Sequence, residues 1–168
     1  MIVYHGSNME IDIIQLEKCN KYKDFGQGFY VTTLEAQAER MAKRTVKRYG
    51  GMPTVTSFEF DETKLGKLKY KEFEHVDNEW ALFIINNRNK NFKDISGLLS
   101  NHDNKYDVVF GAVANDDIAT TFSLYQNGYI STEMLAYRLK YKKLSNQYSF
   151  HTEKAIALLK KIEVKQHE

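Results

Sequence analysis

Short β-branched and aromatic runs alternate along the chain with longer stretches of helical spacing. Ile2-Val3-Tyr4-His5 ends at Gly6-Ser7-Asn8 and predicts a strand running into a turn. Residues 7–25 are polar and irregular apart from Ile11, Ile13, Ile14 and Leu16, and predict a long loop. Residues 28–33 predict a second strand. Residues 34–49 are two-sided. Leu34, Ala38, Met41, Ala42, Thr45 and Tyr49 recur on one helical face, and Arg40, Lys43, Arg44, Lys47 and Arg48 on the other. Thr33 is placed to cap this helix and Gly50-Gly51 to end it.

Further on, residues 54–60 alternate as a strand and residues 67–73 form a weaker one. Val76, Trp80, Phe83, Ile84 and Asn87 step at helical spacing, predicting a helix over 77–89 with Trp80 in the core. Residues 107–113 predict a buried strand. Asn115 or Asp116 caps a helix through Tyr125, closed by Asn127-Gly128. Ser131 starts another, ending near Leu139. Residues 147–151 predict a late strand, Thr152 starts a helix to about Lys160, and residues 162–164 form a last strand. The resulting order does not alternate strictly, which argues against a doubly wound parallel sheet. It predicts an α+β fold with a mixed or antiparallel core.

The 168 residues carry 24 basic and 22 acidic side chains, a net charge of +2, so affinity for nucleic acid or membrane has to be local. That length, one proline and no Ser/Gly-rich linker predict a single domain over 1–168. No targeting segment and no apolar run of about 20 residues is seen, so the expected location is the cytoplasm, with no membrane partner. One cysteine, Cys19, excludes an internal disulfide and fits a reducing compartment. Lys18 and Lys21 beside it favour a lowered thiol pKa. His5, His75, His102, His151 and His167 show no metal-ligand spacing, so no metal is predicted.

Three clusters carry candidate chemistry. In Tyr4-His5-Gly6-Ser7, an imidazole and a bare peptide stand at a strand end; the imidazole can meet a hydroxyl, and the glycine admits a flat ligand to the backbone. A histidine satisfied by the backbone is the alternative. In Asp24-Phe25-Gly26-Gln27-Gly28-Phe29-Tyr30, two glycines precede an aromatic strand without forming a P-loop or a dinucleotide fingerprint. Tyr30 offers a flat face for stacking or, alternatively, a core side chain. In residues 146–152, alternation places Gln147, Ser149 and His151 on one face and Tyr148 and Phe150 on the other. That polar face lines a cleft or faces water at a sheet edge.

In this order the clusters resemble the ADP-ribosyltransferase superfamily, nearest its diphtheria-toxin-like and poly(ADP-ribose)-polymerase-like branch with the His, Tyr, Glu motif. Tyr-His-Gly-Ser, Phe-Gly-x-Gly-Phe-Tyr, Gln-Tyr-Ser-Phe-His-Thr and Val-Val-Phe-Gly-Ala-Val-Ala-Asn-Asp-Asp are also similar to phrases of a bacterial family of unknown function with toxin–antitoxin associations. The resemblance implies a split β-sheet core flanked by helices and NAD as substrate. It implies mono-ADP-ribosyl transfer, with release of nicotinamide, to a protein or nucleic-acid acceptor, and an antitoxin partner. His5 would hold the adenosine ribose, and the Gly6 backbone would pair with the nicotinamide carboxamide. Ser7 and Gly28 would support the site, and Tyr30 would stack on nicotinamide. Gln147 would orient the reacting ribose.

At that last position the family has glutamate. Glutamine keeps hydrogen bonding but supplies neither negative charge nor a general base, which disfavours chain elongation. A carboxylate brought from elsewhere (Glu35, Asp116, Asp117 or Glu153) or NAD binding without turnover are the other possibilities. The basic helix face suits a diphosphate, a nucleic-acid acceptor, an acidic partner or simple solvation.

Overall fold

The computed structural model describes residues 1–93, 97–140 and 142–167. The elements in chain order are β1 (Ile2–Ser7), β2 (Phe29–Val31), α1 (Glu35–Tyr49), β3 (Thr54–Phe60), β4 (Tyr70–Glu72), α2 (Asn78–Arg88), β5 (Val108–Ala112), α3 (Asp116–Gln126), α4 (Thr132–Leu139), β6 (Asn146–Phe150), α5 (Glu153–Ile156) and β7 (Leu159–Gln166). The fold is α+β, and the order of strands and helices matches the sequence expectation.

The strands form two sheets, β1-β3-β7 and β2-β6-β5-β4. All pairings are antiparallel except β4 with β5. Side-chain alternation sorts the second sheet into two faces. Phe29, Val31, Val108, Tyr148 and Phe150 meet Val3, Phe58 and Phe60 of the first sheet. Tyr30 and Val109 face the opposite way, toward Trp80, Ile84, Phe122 and Leu135 of the helices, and Ala112 at the end of β5 joins that cluster. Trp80 is fully buried and donates its indole N–H to the Ala112 carbonyl.

The two sheets touch edge to edge at one residue pair. Tyr4 N–H donates to the Thr32 carbonyl over 2.8 Å, and Thr32 N–H returns 2.9 Å to Tyr4. The ladder ends there. Backbone groups alternate in direction along an antiparallel strand, so the Gly6 amide points the same way as that of Tyr4, away from β3 and into the split.

Three expectations shift. The helix after β2 begins at Glu35 with Leu34 as its N-cap, and Thr33 does not cap it; Thr32 Oγ1 instead accepts from Leu34 N–H. Its buried face is narrower than the apolar stripe: Gln37, Ala38 and Ala42 are covered, whereas Leu34 and Tyr49 are exposed. The cause is close approach, because a Cβ on Gly6 would lie 1.9 Å from the Ala38 carbonyl oxygen. Only small residues fit where α1 meets β1. Finally, the helix after Thr152 is four residues long and the last strand starts at Leu159, because pairing of residues 159–166 with β3 wins over helical spacing.

Candidate functional site

The end of β1 and the end of β2 open a narrow pocket of about 70 Å³ at the split. Its walls include His5, Gly6, Tyr30 and Gln147, so the three sequence clusters converge here. Two larger cavities adjoin it, one of about 600 Å³ and one of about 620 Å³. Lys23 and Met41 line all three. The first large lobe is basic, with Arg40, Arg44, Arg48 and Arg88. The second is more apolar, bounded by Phe29 and the isoleucines of the 8–20 loop, with His5, Ser7 and Gly28 also on its wall.

His5 Nδ1 lies 2.7 Å from the Tyr30 carbonyl oxygen, and its ring stacks on Phe29 with centroids 4.3 Å apart. A carbonyl only accepts, so Nδ1 carries the proton. Desolvation lowers the ring's pKa to about 4 against the opposing carbonyl contact, which keeps it neutral at pH 7. Nε2 is therefore left as a hydrogen-bond acceptor, on a residue that lines the pocket.

Tyr30 is a core residue and a wall residue at once, 7% exposed. Its hydroxyl accepts from Phe25 N–H and donates to the Gly26 carbonyl, holding the 24–26 loop. Burial first, and then the Asp24 charge, push the phenol well above its ordinary pKa, so it stays protonated. Lys23 Nζ sits 4.2 Å from the ring centre. Stacking of a ligand on that face therefore requires Lys23 to move. Burial lowers the Lys23 pKa while Asp24 opposes the shift, so the displaced ammonium has a nearby counter-charge.

Gln147 is held by a residue given no role in the sequence reading. Its Nε2 donates to Asp24 Oδ2 over 3.0 Å. Asp24 also accepts from Arg88 Nε (2.9 Å) and Nη2 (2.6 Å) on Oδ1. Asn87 donates to the Asp24 carbonyl, and Asn87 Oδ1 accepts from Asn101 N–H, which fixes the loop from behind. The signal available in the sequence was Asn87 itself, a polar side chain on the core face of α2. Of the carboxylates considered earlier, Glu35 pairs with Lys165, Asp116 with Arg44 and Asp117 with Lys142; Glu153 lies exposed at the start of α5. Asp24 is the carboxylate on the wall of the basic lobe beside Gln147.

Ser149 and His151 do share Gln147's side of β6, but they are interior. His151 Nδ1 is 2.7 Å from the Gln27 carbonyl, so Nε2 accepts from the Ser149 hydroxyl, also at 2.7 Å. Desolvation lowers the His151 pKa to about 4. Gly28 serves this pair: a Cβ there would lie 2.6 Å from His151 Nδ1 and 2.7 Å from the Phe150 carbonyl oxygen. Ser7 Oγ reaches Asn8 Oδ1 at 3.5 Å. Burial raises the Cys19 pKa despite nearby Lys23, contrary to the lowering expected from its lysine neighbours.

Among the described residues no three His, Cys, Asp or Glu side chains are grouped as metal ligands. Among them, too, no helix is long and apolar enough to cross a membrane. A family model described as a protein of unknown function, DUF3990, matches residues 1–161, and the chain belongs to that family. No curated protein and no solved structure matches the chain.

Proposed function

We propose that this protein is a toxin-like, NAD-dependent mono-ADP-ribosyltransferase acting in the cytoplasm, built on the split-sheet core of that superfamily. The observation that carries the reading is the meeting of His5, Gly6, Tyr30 and Gln147 in one pocket between two diverging strands. The residues present fit NAD as substrate. The Gly6 amide is directed into the split to serve a carboxamide. His5 Nε2 accepts from a ribose hydroxyl. The adjoining lobe bounded by Phe29 and the 8–20 loop, about 620 Å³, has a volume in the range of ligand sites.

NAD supplies an anomeric carbon whose bond to nicotinamide breaks, with the electron pair leaving on nicotinamide. The acceptor's nucleophile bonds to that carbon and its proton passes to water. The chain's own part is to bind and orient. Gln147 keeps Nε2 on Asp24 and turns Oε1 toward the reacting ribose. The negative charge that a glutamate would bring is replaced by Asp24 one side chain behind, partly offset by Arg88. That weaker field supports single transfer rather than chain elongation.

The test is incubation with labelled NAD and cell lysate, comparing wild type with His5→Ala and Tyr30→Ala. Labelled product and nicotinamide release from wild type, both lost in His5→Ala, are expected; no NAD binding and no product from wild type would end the enzyme reading. The Arg88–Asp24 pair favours a second reading, an NAD-binding module without turnover. Calorimetry showing NAD binding with no nicotinamide released would select it.

A further inference from the structure

The arginine lobe remains unassigned by the NAD reading. Its wall carries Lys23, Arg40, Arg44, Arg48 and Arg88 against one carboxylate, Asp24. In a chain of net charge +2 this is a local concentration of positive charge. It opens beside Gln147, which lines both the lobe and the narrow pocket.

Arg40, Arg44 and Arg48 follow one another at four-residue spacing on α1. With a rise of about 1.5 Å per residue they form a ladder about 12 Å long along the helix axis. A repeating ladder suits a repeating polyanion better than one diphosphate. Guanidinium groups also grip phosphate oxygens in a bidentate way. Arg44 meets Asp116 at 3.4 Å, but both ends are exposed, so the pair is weak and a phosphate can displace it. Tyr22, exposed on the same wall, offers a flat ring to a base.

Gln37 lies at the boundary of lobe and pocket and is 8% exposed. Its Oε1 is buried without a hydrogen-bond partner among the described residues. Native proteins rarely leave such an acceptor empty, and a small turn of this side chain at the boundary would present it to a ligand N–H.

We propose that this lobe holds the acceptor and that the acceptor is a single-stranded polynucleotide, with one nucleotide delivered past Gln37 to the carbon beside Gln147. This deepens, and rests on, the NAD reading of the narrow pocket. A base N–H or ribose hydroxyl forms the new bond to the anomeric carbon. The bond to nicotinamide breaks with its electron pair, and the nucleophile's proton goes to water.

The experiment measures fluorescence anisotropy of labelled single-stranded RNA and DNA of about 12 nucleotides with the whole chain and no NAD. Binding is expected, with affinity falling on added salt at a log–log slope near −2 to −3, as about four phosphate contacts require. Arg40→Glu/Arg48→Glu is expected to weaken it about tenfold or more and to flatten the slope by about 1.4. Lys160→Glu, an exposed charge reversal away from the lobe, should change it less than about twofold. Preference for RNA or DNA names the source of the strand. The proposal is overturned by absence of binding at about 50 mM salt, or by equal losses in Lys160→Glu. Displacement of the strand by saturating NAD, which assigns the lobe to the diphosphate, or tighter binding of polyglutamate than of either strand also overturns it. The readout needs no NAD, so its failure leaves NAD binding standing, and a failure of NAD binding leaves this result readable.

Discussion

The Gln147 carboxamide donates to Asp24 across 3.0 Å, joining positions 123 residues apart in sequence. The contact changes what a restored glutamate does. In Gln147→Glu alone, two carboxylates face each other and repel, so the variant is expected to lose stability without gaining turnover. The double replacement Asp24→Asn/Gln147→Glu keeps the hydrogen bond and moves the charge to position 147, next to the ribose in the proposed NAD complex. It is expected to release nicotinamide faster than wild type. Nicotinamide assay and thermal melting of both variants check this; equal rates in the single and double variants would sink it.

Arg88 is the counter-charge that makes Asp24 tolerable in a site where it is largely covered. Arg88→Met leaves that carboxylate without its ion-pair partner and should destabilise the fold by about 2–4 kcal/mol. Urea denaturation of Arg88→Met against wild type reads the loss. Combining it with Asp24→Asn should recover part of that loss, since the stranded charge is then gone.

Gln37→Leu separates folding from binding. The substitution removes a buried acceptor that has no partner, so stability should hold or rise by about 1 kcal/mol. Affinity for NAD or for the labelled strand should fall at the same time. A variant that melts earlier and binds as wild type would show the carboxamide to be structural.

Stability should fall on mild acidification. His5 and His151 each have a folded pKa lowered from 6.5 to about 4 by burial. Lowered pKa values mean the unfolded chain binds more protons. The stabilisation is therefore complete above about pH 6.5 and drains away between there and about pH 4. Urea midpoints across that window should drop, and His151→Asn should flatten the slope toward that of one histidine. An unchanged slope would count against burial as the cause.

Gly6→Ala is expected to disrupt folding, at about 3 kcal/mol or more, because its Cβ would meet the Ala38 carbonyl at 1.9 Å in helix backbone. Circular dichroism melting checks it. Loss of activity in that variant says nothing about a nicotinamide contact, which makes His5→Ala the cleaner probe.

Much of this was legible in the order of residues. Strand and helix order followed from periodicity and caps, as with Asn115 and Ser131, whose side chains accept from Ile118 and Met134 N–H. The positions gathered at the pocket, His5, Gly6, Tyr30 and Gln147, came from three local clusters and from the family resemblance that singled them out. Asp24 was not legible as a partner, because its meaning comes from Arg88, Ala114 and Gln147, each brought in by a different element. Residues 157–160 misled because Leu158 and Leu159 continue the helical spacing of Ala155 and Ile156, whereas Leu159 pairs with Phe60 of β3. On α1, apolarity suggested Leu34 and Tyr49 as core, whereas distance of approach to Gly6 set which residues are covered.

The place of β6 bears on biosynthesis. It lies between β2 and β5, so β2 has no neighbour in its own sheet until residues 146–150 arrive. A ribosome-bound chain that has not passed this strand has one wall of the cleft and neither Gln147 nor the mate of Tyr30's strand. A chain translated only as far as β5 therefore has no assembled cleft, which forms once residues 146–150 have been made.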